Sequence, residues 1–114
     1  MPHVTLEYSA NINDFNSQEL FSQIHEILGQ IADVAKCQSR AIRQQDFYID
    51  HGRDEDAFVL LRIELKSGRA EEVRQNIGQQ CHACLVDFFA PIITSNGLNC
   101  EPAVEVNELG LYIK

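Results

Sequence analysis

The chain has 114 residues, 45% of them hydrophobic, and its 17 Asp and Glu outnumber 9 Lys and Arg to give a formal charge of -8. That length suits one domain with a limited core. The acidity argues against nucleic acid, and no apolar run is long enough for a bilayer span or shaped like an export signal. We therefore expect a single domain over residues 1–114, cytoplasmic and with no membrane or nucleic-acid partner, in which the handling of an anionic molecule depends on where the few cations lie.

Val4, Leu6 and Tyr8 alternate with Thr5 and Glu7, which predicts a half-buried strand from Pro2 to about Ser9. Loss of Met1 turns Pro2 into a secondary amine. A terminal amine ordinarily titrates at roughly 7.7 to 8.0, so desolvation or a nearby cation leaves it neutral and basic at physiological pH, as a general base must be. A small residue in second position also simply favours methionine removal, so the dipeptide alone does not decide between the two readings.

Turn residues fill Ser9 to Asp14, and Asn16 or Ser17 opens a helix running to about Ala32. Its apolar stripe is Leu20, Phe21, Ile24, Ile27, Leu28 and Ile31, with His25 and Glu26 at the boundary. Ser39 to Asp50 reads as a long strand with polar residues on both faces, bordering a cavity or a subunit interface. The turn from His51 to Asp56 is charged, and its acidic residues read as solvated rather than as metal ligands.

Ala57 to Leu65 is apolar enough for a central strand, and after the Lys66-Ser67-Gly68-Arg69 turn a long amphipathic helix carries Val73, Ile77, Cys81, Cys84, Leu85, Phe88, Phe89, Ile92 and Ile93. A kink is expected at Pro91 and a stop at Asn96-Gly97. Pro102 to Asn107 alternates as a last strand, and Leu109 to Lys114 is a tail apolar enough to dock on a neighbour. The four cysteines are expected to be reduced, and Cys81 and Cys84, although spaced like a redox or zinc half-site, fall within a helical pattern that favours packing.

The order is β-α-β twice, in halves of about 1–55 and 56–114, an α/β (α+β) arrangement with a four-stranded mixed sheet and both helices on one face. The other face, with Phe58 and Leu60, then needs a partner, which predicts a homo-oligomer. Two arginines could meet an anion. Arg43 is expected near the start of the second strand and Arg69 in the turn before the second helix, where it and the helix N-terminus suit a carboxylate. Each has a structural alternative: Arg43 paired with Glu7 or Asp46, and Arg69 paired with Glu72 or solvated. Arg74 reads as a surface partner of Glu71.

These features together resemble the 5-carboxymethyl-2-hydroxymuconate delta-isomerase family of the tautomerase superfamily over essentially the whole length. The likeness is carried by Met1-Pro2-His3, Asn11-Ile12, Ala41-Ile42-Arg43, Asp56 to Val59, Leu65 to Arg69, Glu72 to Gln75 and Leu111 to Lys114. The resemblance implies a homotrimer that uses no metal or organic cofactor. It also implies that the Pro2 nitrogen is the catalytic base, that Arg43 meets substrate oxygens, and that Arg69 grips a carboxylate of a small anionic substrate. Gln45 departs from the family pattern, which tends to have a second arginine there, so the substrate is left open. The expected activity is isomerisation of 5-carboxymethyl-2-hydroxymuconate in aromatic-compound catabolism. The alternatives are a broader phenylpyruvate-like keto-enol tautomerase and a non-catalytic trimeric binding protein.

Overall fold

The alternation of Val4, Leu6 and Tyr8 becomes strand β1 (His3–Ser9) in a computed structural model that describes residues 1–114. Helix α1 (Ser17–Ala32) has the predicted bounds, and its first turn is capped by the Asn16 side chain, which accepts from the Glu19 N–H at 3.2 Å. Strands β2 (Gln38–Gln44) and β3 (Val59–Leu65), helix α2 (Glu71–Ser95) and strand β4 (Ala103–Glu108) complete the order β-α-β-β-α-β. Helix α2 continues through Pro91 and stops at Asn96, whose backbone and side chain both donate to the Ile92 carbonyl.

The sheet order is β2-β1-β3-β4, with β1 parallel to β2, antiparallel to β3, and β3 parallel to β4. Paired residues share a face, so Val4 and Leu6 lie beside Ile63 and Leu61, and all four are fully buried. They meet Leu20, Ile24 and Leu28 of α1 and Ile77, Cys81, Leu85 and Phe89 of α2 in one core, which puts both helices on the same side of the sheet. Cys81 belongs to this core, and burial first, then its neighbours Cys84 and Cys37, push its thiol up to about 12. That thiol packs as an apolar group and is not a nucleophile at neutral pH.

Three expectations change. The strand predicted from Ser39 to Asp50 ends at Gln44, because β1 ends at Ser9 and offers no ladder beyond it. The chain instead turns, with Asp50 and Gly52 at positive φ and the Gly52 N–H donating to the Ile49 carbonyl at 2.8 Å. The pairing of Arg43 with Glu7 is also absent. Arg43 stands opposite Tyr8 on the helix-covered face, whereas Glu7 points to the open face and pairs with Arg62 at 2.8 Å. Arg62 also meets Glu105 at 3.2 Å, so the open face is polar at its centre and apolar only toward Phe58, Leu60 and Ile42. Arg74 pairs with Glu108, at 3.5 Å, and not with Glu71.

Candidate active site

The strand directions decide what surrounds Pro2. Because β2 runs parallel to β1, the loop entering β2 lies beside the start of β1, with the Gln38 N–H donating to the Pro2 carbonyl at 3.1 Å. Because β3 is antiparallel to β1, the turn leaving β3 arrives at the same end, where His3 is opposite Glu64. Strand β4 follows β3 in parallel, so the tail after Glu108 emerges there too, with the Leu109 N–H bonded to the Leu65 carbonyl at 2.7 Å. Three distant segments thus converge on one residue.

They border an open cavity of about 350 Å³ whose walls include Met1, Pro2, Lys36, Lys66, Arg69 and Lys114, together with the Asp33–Ala35 stretch. Pro2 is itself buried. Lys36, Lys66 and Lys114 are the only lysines in the sequence, and all three stand here. The arginine expected at the carboxylate-gripping turn is present beside Pro2. Arg69 donates to the carbonyls of Lys66 at 3.2 Å and Ala32 at 3.5 Å, which orients the guanidinium while leaving most of its five N–H groups unused. It forms no ion pair, with Glu72 or any other acid.

The turn geometry has a clear cause. Gly68 sits at φ 109, a conformation that disfavours any residue with a side chain, and its N–H donates to Glu108 at 3.1 Å. Arg69 follows directly, and Ala70 caps α2 with no side-chain hydrogen bond. Neither Ala70 nor Glu71 reaches the cavity wall, so the helix N-terminus does not join Arg69 there. The thiol of Cys37, two residues into the β2 approach from Ala35, is pushed above its ordinary value chiefly by burial. A hydrogen bond with Ser39 and the positive chain terminus act in the opposite direction.

The other two sequence candidates lie elsewhere. Arg43 is exposed at the far end of β2, where it donates to the Ala10 carbonyl at 2.9 Å and borders a small cleft with Tyr8, Asn13 and Asp14. Gln45 is exposed just beyond it in the turn that ends the strand. The three lysines escaped the sequence reading because each sits in a different connecting segment. The available signal was their position: one precedes β2, one follows β3 and one closes the tail after β4.

A sequence model of the 5-carboxymethyl-2-hydroxymuconate isomerase family matches residues 2–110. The chain belongs to that family. Among solved structures, a 5-carboxymethyl-2-hydroxymuconate isomerase from Deinococcus radiodurans R1 is 30% identical. The match covers 99% of this chain and 88% of that one with a TM-score of 0.87. A 5-carboxymethyl-2-hydroxymuconate delta-isomerase at 15% identity covers 100% and 86% with a TM-score of 0.84, and so shares the fold. A fused 4-OT described as a symmetric trimer, at 12% identity, covers 94% and 85% with a TM-score of 0.68. No curated protein sequence matches. Membership makes the chain an isomerase with the tautomerase fold, and no helix in it is long and apolar enough to cross a membrane.

Proposed function

We propose that the chain isomerises an unsaturated hydroxy- or oxo-dicarboxylic acid of the 5-carboxymethyl-2-hydroxymuconate type, with the amine of processed Pro2 as the proton carrier. The observation that carries this is the clustering of Lys36, Lys66, Arg69 and Lys114 around Pro2 in a chain of net charge -8. Cations beside an amine disfavour its protonation, so they keep Pro2 neutral and free to accept a proton, and they also hold the anionic substrate against it. The neutral amine takes a proton from the substrate, negative charge spreads over the conjugated oxygens, and a guanidinium stabilises it. The same ammonium then returns the proton to a carbon further along, so the reaction is an isomerisation without net gain or loss of atoms.

Arg69 grips a carboxylate in this reading. Arg43, the proposed partner of the developing oxyanion, stands at the wrong end of its own β1–β2 pair and reaches Pro2 only from a second copy of the chain. Gln45 travels with it, beside the same substrate. A homotrimer supplies that copy, in line with the trimeric assembly described for the fused 4-OT neighbour. The convergence of four cations favours a multiply charged acid over a monoanionic phenylpyruvate-like enol. The test is an ultraviolet assay of enol decay with protein whose intact mass proves loss of Met1. Absence of turnover with both polyanionic and monoanionic enols would leave a binding protein of the same fold.

A further inference from the structure

Arg69 is the one arginine beside Pro2, and it leaves the main chain from the turn between β3 and α2, where Gly68 adopts φ 109 with open space around it. A glycine turn has many backbone conformations within reach, so something must hold it in one. Of the main-chain N–H groups of residues 66–70, only that of Gly68 is hydrogen bonded, and its acceptor is the Glu108 carboxylate at 3.1 Å. The side-chain bonds of Arg69 do not replace this hold. One goes to the Lys66 carbonyl of the same turn, and the other, to the Ala32 carbonyl, is long at 3.5 Å.

Glu108 is suited to the task by where it stands. It is the last residue of β4, in register with Leu65 at the end of β3, so its side chain is carried by the sheet and not by the turn. The next residue ties the strands again, through the Leu109 N–H and the Leu65 carbonyl. The second carboxylate oxygen of Glu108 meets Arg74, in the first turn of α2, at 3.5 Å. One side chain thus joins the sheet, the turn and the helix that follows it, through a bond to a charged acceptor that is stronger than a neutral one. Arg74 offsets the negative charge, and Glu108 is not part of the cavity wall, so an acid is tolerated close to a site that gathers cations.

We infer that Glu108 is a positioning residue for Arg69: it holds the Gly68 turn in the conformation that presents the guanidinium to the cavity beside Pro2. The inference rests on Arg69 as the carboxylate grip. Charge and position make opposite demands on Glu108, which separates them. By charge alone, removing an acid near a cationic cavity tightens the binding of an anion, whereas loss of the clamp weakens it.

The probe is hexa-2,4-dienoate, whose single carboxylate reports one grip, titrated calorimetrically into Met1-free protein. Glu108→Ala should weaken its binding about fivefold or more. Glu108→Gln, which keeps an acceptor oxygen for the Gly68 N–H, should recover most of that loss. In the Arg69→Ala background, Glu108→Ala should change the affinity by less than about twofold, since no guanidinium is left to position. Nitrogen relaxation gives a readout independent of binding: Glu108→Ala should lower the order of the Gly68 amide and of the Arg69 Nε–H group, with the signals of β1 and α1 unmoved to show an intact fold. Unchanged order at Gly68 and Arg69 overturns the positioning role. So does equal or tighter binding by Glu108→Ala where Arg69→Ala itself weakens binding, or an equal loss with and without Arg69. If Arg69→Ala binds the acid as well as the natural chain while Glu108→Ala still loosens the guanidinium, the positioning role stands and the carboxylate grip falls.

Discussion

Arg43 and Pro2 lie at opposite ends of the parallel β1–β2 pair, Arg43 within β2 and Pro2 directly before β1. Arg43 is in register with Tyr8, whereas Gln38 accompanies His3. Five residues of strand separate those pairs, about 17 Å at 3.3 Å per residue, more than an arginine side chain bridges while donating to the Ala10 carbonyl.

This distance turns the role of Arg43 into a test of assembly. A Met1-retaining variant and Arg43→Ala should each lose most of their turnover alone. Mixed under conditions that exchange subunits, they should recover about a quarter of the normal activity, the share of sites in random closed trimers that take both groups from intact copies. Lack of recovery in verified mixed oligomers removes Arg43 from the partner's site.

Arg69 should fail in a different way. In the proposed reaction it holds a carboxylate that is charged before and during the reaction, so Arg69→Ala is expected to raise KM about ten- to a hundredfold with a smaller change in kcat. Arg43 is proposed to meet charge that develops only in the transition state, so Arg43→Ala should chiefly lower kcat. Steady-state kinetics on folded variants separate the two, and unchanged constants for both would make the arginines structural.

Far from Pro2, Asp56 predicts the acid behaviour of the fold. Its buried carboxylate is held below the ordinary range first by the Asn99 hydrogen bond. Burial opposes this, and the hydrogen bond and charge of Arg53, with a further contribution from His51, add to the lowering. A depressed carboxyl stabilises the folded state above its unfolded value of roughly 3.9 and loses that contribution as the pH falls through its folded value. The urea midpoint of the natural chain should thus drop below about pH 4 more steeply than that of Asp56→Asn. Parallel curves for the two proteins would rule out Asp56 as a source of the acid sensitivity.

The fold was legible because its elements are set by local patterns: the bounds of α1 follow from the Asn16 cap and the stripe at Leu20, Ile24 and Leu28. The end of β2 was not, since alternation continues through Phe47 and Ile49 after β1 has run out of partners. At the site, Pro2 and Arg69 share a cavity because β1 and β3 are antiparallel neighbours, a relation that no local pattern displays. The lysines were hidden for the same reason. The tail, read as docking on a neighbour, sets Tyr112 against His3 of its own chain, while Leu111 and Ile113 remain exposed.

The most direct measurement compares one protein in two forms, with Met1 removed and with Met1 retained, each verified by intact mass and assayed for enol decay in the ultraviolet. Retention makes the Pro2 nitrogen a tertiary amide that has no proton affinity near neutral pH, so turnover should fall by about a hundredfold or more while the oligomeric state is unchanged. Equal activity in the two forms would contradict Pro2 as the base.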